Sequence, residues 1–203
     1  MTYLVTNIPE ILRLLAEHMA IVFGGLALSI LVGVPIGVLI HRIRILEFPV
    51  MTLTGLLYIT PSLALFAVLI PITGLGKTTA IVSQVVYSLL VITRNTATGL
   101  RSVPAPEQEA ARGLGLSGMQ RFLMVEIPAA LPVIVGGIRV AAVMGVGIAS
   151  IAAYVGAGGL GSLVFRGIAT VDGSLILAGV LPITALALSV DYSLRLIEVH
   201  LRR

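Results

Sequence analysis

Two glycine-containing stretches have the spelling of nucleotide-binding loops. Gly156-x-Gly158-x-x-Gly161 carries the spacing of a dinucleotide fingerprint, in which glycines let the backbone approach a pyrophosphate at a helix N-terminus. That chemistry needs a strand before the motif and an acidic residue about 20 positions beyond it. Here a long apolar run precedes the glycines and Asp172 arrives far too soon, so the fingerprint carries almost no weight. Gly76-Lys77-Thr78 echoes the end of a phosphate-binding loop, but Pro71 stands where the earlier glycine is required. The chain is expected to bind no ATP by itself.

Catalytic and metal chemistry find equally little support. His18, His41 and His200 fall near the ends of apolar runs, the ordinary place for a histidine at a membrane edge. There is no HExxH pair and no cysteine, which removes disulfides, iron–sulfur clusters and Cys-type zinc sites. Ser29, Ser62, Ser83, Ser88, Ser150 and Ser189 lie within apolar runs without a neighbouring histidine and carboxylate to activate them. Neither a catalytic residue nor a metal site is expected.

The most informative charge is Arg139, well inside an apolar run and without an acid three or four positions away. A charge at that depth costs at least about 2.5 kcal/mol on insertion scales, so Arg139 must face protein or a water-filled path. A structural pair with a helix end or with Asp191 is favoured over a role in the path. Asp191 has a local alternative in Arg195, one turn on. Arg94 is expected to snorkel to the headgroups, while Asn95 is a candidate to line a path.

The elements that position these residues are membrane helices. The chain is 58% hydrophobic and only 11% charged, where a soluble domain carries about 25% charge. Its +4 net charge comes from arginines beside the apolar runs, not from a basic face suited to phosphate backbones, so nucleic acid is a poor partner. No cleavable signal is expected, because Glu10 and Glu17 interrupt the N-terminal pattern. The chain reads as one all-α integral membrane domain over residues 1–203 with about five transmembrane helices. Residues 1–18 read as an interfacial helix with Leu4, Ile8, Ile11 and Leu15 on one face and an Asn7/Glu10 cap. Residues 19–98 hold spans one to three, 99–128 a polar loop, 129–196 spans four and five, and 197–203 a tail. Pro61 interrupts span two near Tyr58 to Ser62. Span three ends among the polar residues Thr93 to Thr98, and span four carries small residues at Gly137, Ala141, Gly145, Ala149 and Ala153 for close helix contact.

Arg42, Arg44, Arg101, Arg112, Arg121, Arg195, Arg202 and Arg203 fall on one side of this arrangement, against Arg13, Lys77 and Arg166 on the other, eight against three. The basic side is the cytoplasmic one, which leaves the N-terminus outside and the C-terminus inside.

On that basic side lies the longest soluble-looking passage, Glu109 to Pro128. It reads as two short helices. The first runs from Ala105 to Arg112 behind Pro104 and Pro106 and stops at Gly113 and Gly115. The second opens with a Ser117/Gln120 capping box and ends at Pro128. Glu109-Ala110-Ala111, three residues, Gly115, nine residues, Val125, one residue, Ile127-Pro128 resembles the EAA loop of bacterial ABC-importer permeases, with Val125 where that pattern usually has Ile. TPSLALFAVLIP (60–71), RNTATGL (94–100), LPVIVGGIRVA (131–141) and YVGAGGLG (154–161) resemble the osmoprotectant branch, which imports glycine betaine, carnitine or choline.

The resemblance implies a MetI-like fold with a cytoplasmic coupling-helix loop in the bacterial cytoplasmic (inner) membrane. It also implies a second permease subunit, identical or related, a cytoplasmic ABC ATPase dimer that carries ATP and Mg, and an extracytoplasmic substrate-binding protein. Surrounding lipid is the remaining partner. Glu109, Ala110, Ala111 and Gly115 would belong to the part that docks on the ATPase, where small residues let a short helix sit deep in a groove. Tyr58, Ser62, Asn95, Arg139 and Tyr154 are candidates for the translocation path. A permease for methionine or another small amino acid is the nearest alternative, and a membrane scaffold that does not transport is the alternative of another class. With no Trp and scattered Tyr and Phe, one copy is not expected to form a complete aromatic cage, so high affinity is assigned to the binding protein.

Overall fold

The computed structural model describes Tyr3 and residues 6–201. The expectations placed on Leu4 and on Arg202 and Arg203 lie outside the described residues. Every regular element among the described residues is helical.

Helix α1 spans Ile8–Arg42, 35 residues without interruption. At about 1.5 Å per residue it is longer than the roughly 30 Å hydrocarbon core, so no break separates the expected interfacial helix from span one. Asn7 sits at its N-cap without a side-chain capping bond and donates instead to Thr6 Oγ1 at 3.0 Å. After a 3₁₀ turn, α2 (Glu47–Ile59) and α3 (Ser62–Thr73) meet at a bend of 104°. The break is local chemistry: Pro61 excludes the helical region for Thr60, which is extended at φ −64° and ψ 129°.

Helix α4 (Lys77–Arg101) does not end at Thr93 but runs through the polar stretch for 25 residues. Thr79, Ser83, Gln84, Ser88, Thr93 and Thr96 are fully buried by its neighbours, which hide the polarity that suggested an end. Two short helices follow, α5 (Ala105–Gly113) and α6 (Gly118–Arg121), with the Ser117/Gln120 capping box present. Pro128 does not stop the chain. A π-helical turn over Phe122–Glu126 leads into α7 (Ile127–Ala152), with Pro128 in its first turn, where a missing N–H costs little. A 3₁₀ turn at Ala153–Val155 and the glycine loop precede α8 (Gly161–Thr170), a helix absent from the sequence reading, and α9 (Gly173–Leu201) closes the bundle.

Among the described residues three stretches are long and apolar enough to cross a bilayer: Ile8–Arg42, Gly118–Val155 and Gly173–Leu201. The bent α2–α3 pair makes a fourth if taken as one span. The expected third span, α4, has the length but a more polar composition, and it is wedged between α1 and α7. Glycines set those contacts. An added Cβ at Gly33 would lie 2.9 Å from Ile92, one at Gly37 2.5 Å from Thr96, and one at Gly137 2.5 Å from Asn95. The small-residue stripe of α7 therefore meets α4 within the same chain. Its counterpart, Gly25, Ser29, Gly33 and Gly37 on α1, is buried at the same four-residue spacing.

Candidate functional sites

The polar loop is built by two caps. At the end of α5 the Leu116 N–H donates to Ala111 O at 3.2 Å and the Gly115 N–H to Arg112 O at 2.9 Å, a Schellman closure. It requires the left-handed backbone found at Gly115, φ +75°. Ser117 then opens α6, its N–H donating to Gln120 Oε1 at 2.8 Å. The four residues singled out in the sequence separate here: Glu109, Ala110 and Gly115 are exposed, while Ala111 is buried. Leu114, Met119, Leu123 and Met124 stand exposed beside them, between 56% and 80%, an apolar group on an otherwise polar loop.

The turn following that loop touches the end of α1. Arg42 lies over the Phe122 ring at 4.6 Å, and His41 Nε2 is 3.8 Å from Glu126 Oε2. Arg101, at the end of α4, donates to Glu47 on α2 at 2.8 Å. The turn after the loop is thus tied to the end of α1, and the end of α4, where the loop begins, to the start of α2. None of these contacts was legible in sequence, because each joins residues dozens of positions apart.

Arg139 Nη1 lies 3.7 Å from Asp191 Oδ1, and its Nε 3.4 Å from Glu198 Oε2. The Asp191 pairing agrees with the expectation, and Glu198 joins it because its position seven residues beyond Asp191 puts both acids on one helix face. The ion pairs of Asp191 among the described residues do not include Arg195. Asn95 donates to Val91 O at 2.8 Å and packs over Gly137, so it fills a helix contact. Tyr154 is 68% exposed, with its ring 5.6 Å from that of Phe165.

Tyr58 and Ser62 do come together. They line a pocket of about 400 Å³ with Thr60, Tyr87, Met144, Gly147, Ile148 and Ile151. Of the five path candidates, only these two share it. The Tyr58 and Tyr87 rings are 6.4 Å apart at 73°, and the Tyr87 hydroxyl donates to Thr60 O, the carbonyl at the helix break.

His18 is packed inside the bundle rather than on its surface. It is wholly buried, its Nε2 3.2 Å from Val146 O, and Gly159 packs against its ring. The adjacent Glu17 accepts from the Gly159 N–H at 3.2 Å. Gly156, Gly158 and Gly159 all have positive φ, so the apparent fingerprint is a turn clasped by α1. Among the described residues no group of three histidine or acidic side chains is placed to hold a metal ion.

Among the described residues the site is thus a bundle with membrane-length helices and a polar helical loop that carries an uncovered apolar group. The profile of the family described as binding-protein-dependent transport system inner membrane component matches residues 25–203, and the chain belongs to that family. It is 44% identical over 204 residues to the osmoprotectant import permease protein OsmW of Salmonella typhimurium, covering 98% of this chain and 95% of that one. The glycine betaine/carnitine/choline transport system permease protein OpuCB of Bacillus subtilis is 38% identical over 198 residues, with 98% and 91% covered. Among solved structures, the inward-facing MetNI methionine ABC transporter superposes with a TM-score of 0.83 at 25% identity, over 92% of this chain and 94% of that one. The fold is therefore MetI-like, and the chain is a multi-pass transport subunit.

Proposed function

We propose that this chain is the permease subunit of an ABC importer for osmoprotectants such as glycine betaine, carnitine or choline. The observation that carries the proposal is similarity along nearly the whole chain to permeases named for those solutes. Two permease subunits form the path, an extracytoplasmic binding protein delivers the solute, and a separate ATPase dimer supplies the energy. The α5–α6 loop is the coupling element. Glu109, Ala110 and Gly115 present small and acidic groups to the ATPase beside exposed Leu114, Met119, Leu123 and Met124, which suits a helix-in-groove contact. Ala111 supports the loop from inside. Tyr58 and Ser62 belong to the translocation path.

Reconstituting the complete importer in liposomes tests the assignment. ATP-dependent uptake of glycine betaine, carnitine or choline should exceed that of methionine at equal concentration. Preferential methionine uptake would move the chain to the amino-acid branch, and no uptake of any solute would favour a scaffold.

The proposed topology has five spans in the bacterial cytoplasmic membrane, the N-terminus outside and the C-terminus in the cytoplasm. The chain has no native cysteine, so single cysteines at positions 2 and 203 report without background. An impermeant thiol reagent is expected to reach them from opposite faces. Labelling from one face only would require an even number of spans.

A further inference from the structure

We propose that the pocket between Tyr58 and Tyr87 is an intramembrane station for the trimethylammonium group of the transported solute, an inference that rests on the osmoprotectant reading above. The residues that line the pocket include no acid, base or histidine. A primary ammonium entering it would exchange water and any counter-charge for a few hydroxyl oxygens, whereas a trimethylammonium has no N–H to satisfy. Such a cation is attracted by the electron-rich faces of aromatic rings. Two tyrosine rings near right angles present a face and an edge to the same space.

Both rings are held in position by the fold. Tyr87 is buried, and its hydroxyl is engaged by the Thr60 carbonyl, which fixes the ring against the α2–α3 break. Tyr58, on the last turn of α2, remains 37% exposed. Gly147 opens the facing wall, since a Cβ there would meet nothing within 4 Å. The volume of about 400 Å³ lies in the range of small-molecule sites, roughly 300–1,000 Å³. The Ser62 hydroxyl can donate to the carboxylate of a betaine or a carnitine, while the Thr60 hydroxyl, which donates to Leu56 O at 3.0 Å, keeps only acceptor capacity for a solute hydroxyl. The helix break adds to this, because the negative end of α2 and the positive end of α3 both terminate at the pocket. Two rings without a formal charge make a weak site, which suits a station that a solute must also leave.

The experiment uses the complete importer carrying Gly147→Cys, the one cysteine of this subunit. The rate of labelling of that cysteine by a small thiol reagent is measured with millimolar glycine betaine or with glycine. Glycine betaine is expected to slow labelling at least about threefold while glycine leaves it unchanged. Tyr58→Ala should remove the protection and Tyr58→Phe, which keeps the ring, should retain it. If the assembly imports glycine betaine yet the cysteine is unprotected, or protected equally by glycine, the pocket is not a station and the osmoprotectant reading stands. If the assembly imports no quaternary amine, both fall together.

Discussion

Gly115→Trp is expected to abolish ATP-driven uptake while the protein still inserts and folds. Two effects act together. Gly115 has φ +75°, and a side chain in that conformation costs about 1–2 kcal/mol, enough to loosen the Schellman closure that ends α5. A Cβ at Gly115 meets nothing within 4 Å in this chain, so the added indole would project outward, into the space proposed for the ATPase. Comparison with Gly115→Asn separates the causes, because asparagine tolerates the left-handed region and adds little bulk. That variant should retain a substantial part of the uptake. Gly113→Ala, where an added Cβ likewise meets nothing, should be close to neutral. Undiminished uptake by Gly115→Trp would remove the loop from the coupling route.

The largest loss of stability is expected from Gly145→Leu. At Gly145 the Gln84 amide lies so near that even a Cβ would overlap it, and the amide is equally hemmed in towards α1, where a Cβ added at Gly25 would lie 2.5 Å from its Oε1. Gln84 also donates to Val22 O at 2.8 Å, so displacing it removes a buried hydrogen bond between α4 and α1. Overpacking of this kind costs typically about 1–3 kcal/mol, and loss of the hydrogen bond adds to it. The measurement is the melting temperature of the detergent-purified subunit, together with its monodispersity. Gly147→Leu adds the same volume two residues away, where a Cβ has open space, and should melt near the wild-type temperature. Equal melting of the two variants would show that α4 and α7 do not depend on this contact.

Much of the candidate coupling site was readable because its signals are local. The Ser117/Gln120 box spans four residues, the glycine that ends α5 lies within one turn of it, and Pro61 acts on the residue before it. The pocket was half legible: Tyr58 and Ser62 flank the proline break, but Tyr87 and Gly147 reach it from helices far along the chain. Pro128 misled for a related reason. A proline ends a helix only when the preceding turn cannot adjust, and here a π-turn over Phe122–Glu126 accommodates it.

Composition, the apolar runs, the helix break, the caps and the stripe of small residues on α7 were determined by the sequence itself, since each follows from residues within a few turns of one another. Tertiary structure decided which polar residues are buried and what they meet. Thr93 and Thr96 read as an ending until α1 and α7 enclose them, His18 is buried only because Val146 and Gly159 close over it, and Arg139 acquires Glu198 only when α9 packs beside α7. A polar side chain in a membrane protein is tolerable only if its partners are supplied, and those partners come from distant segments that no local pattern can reveal.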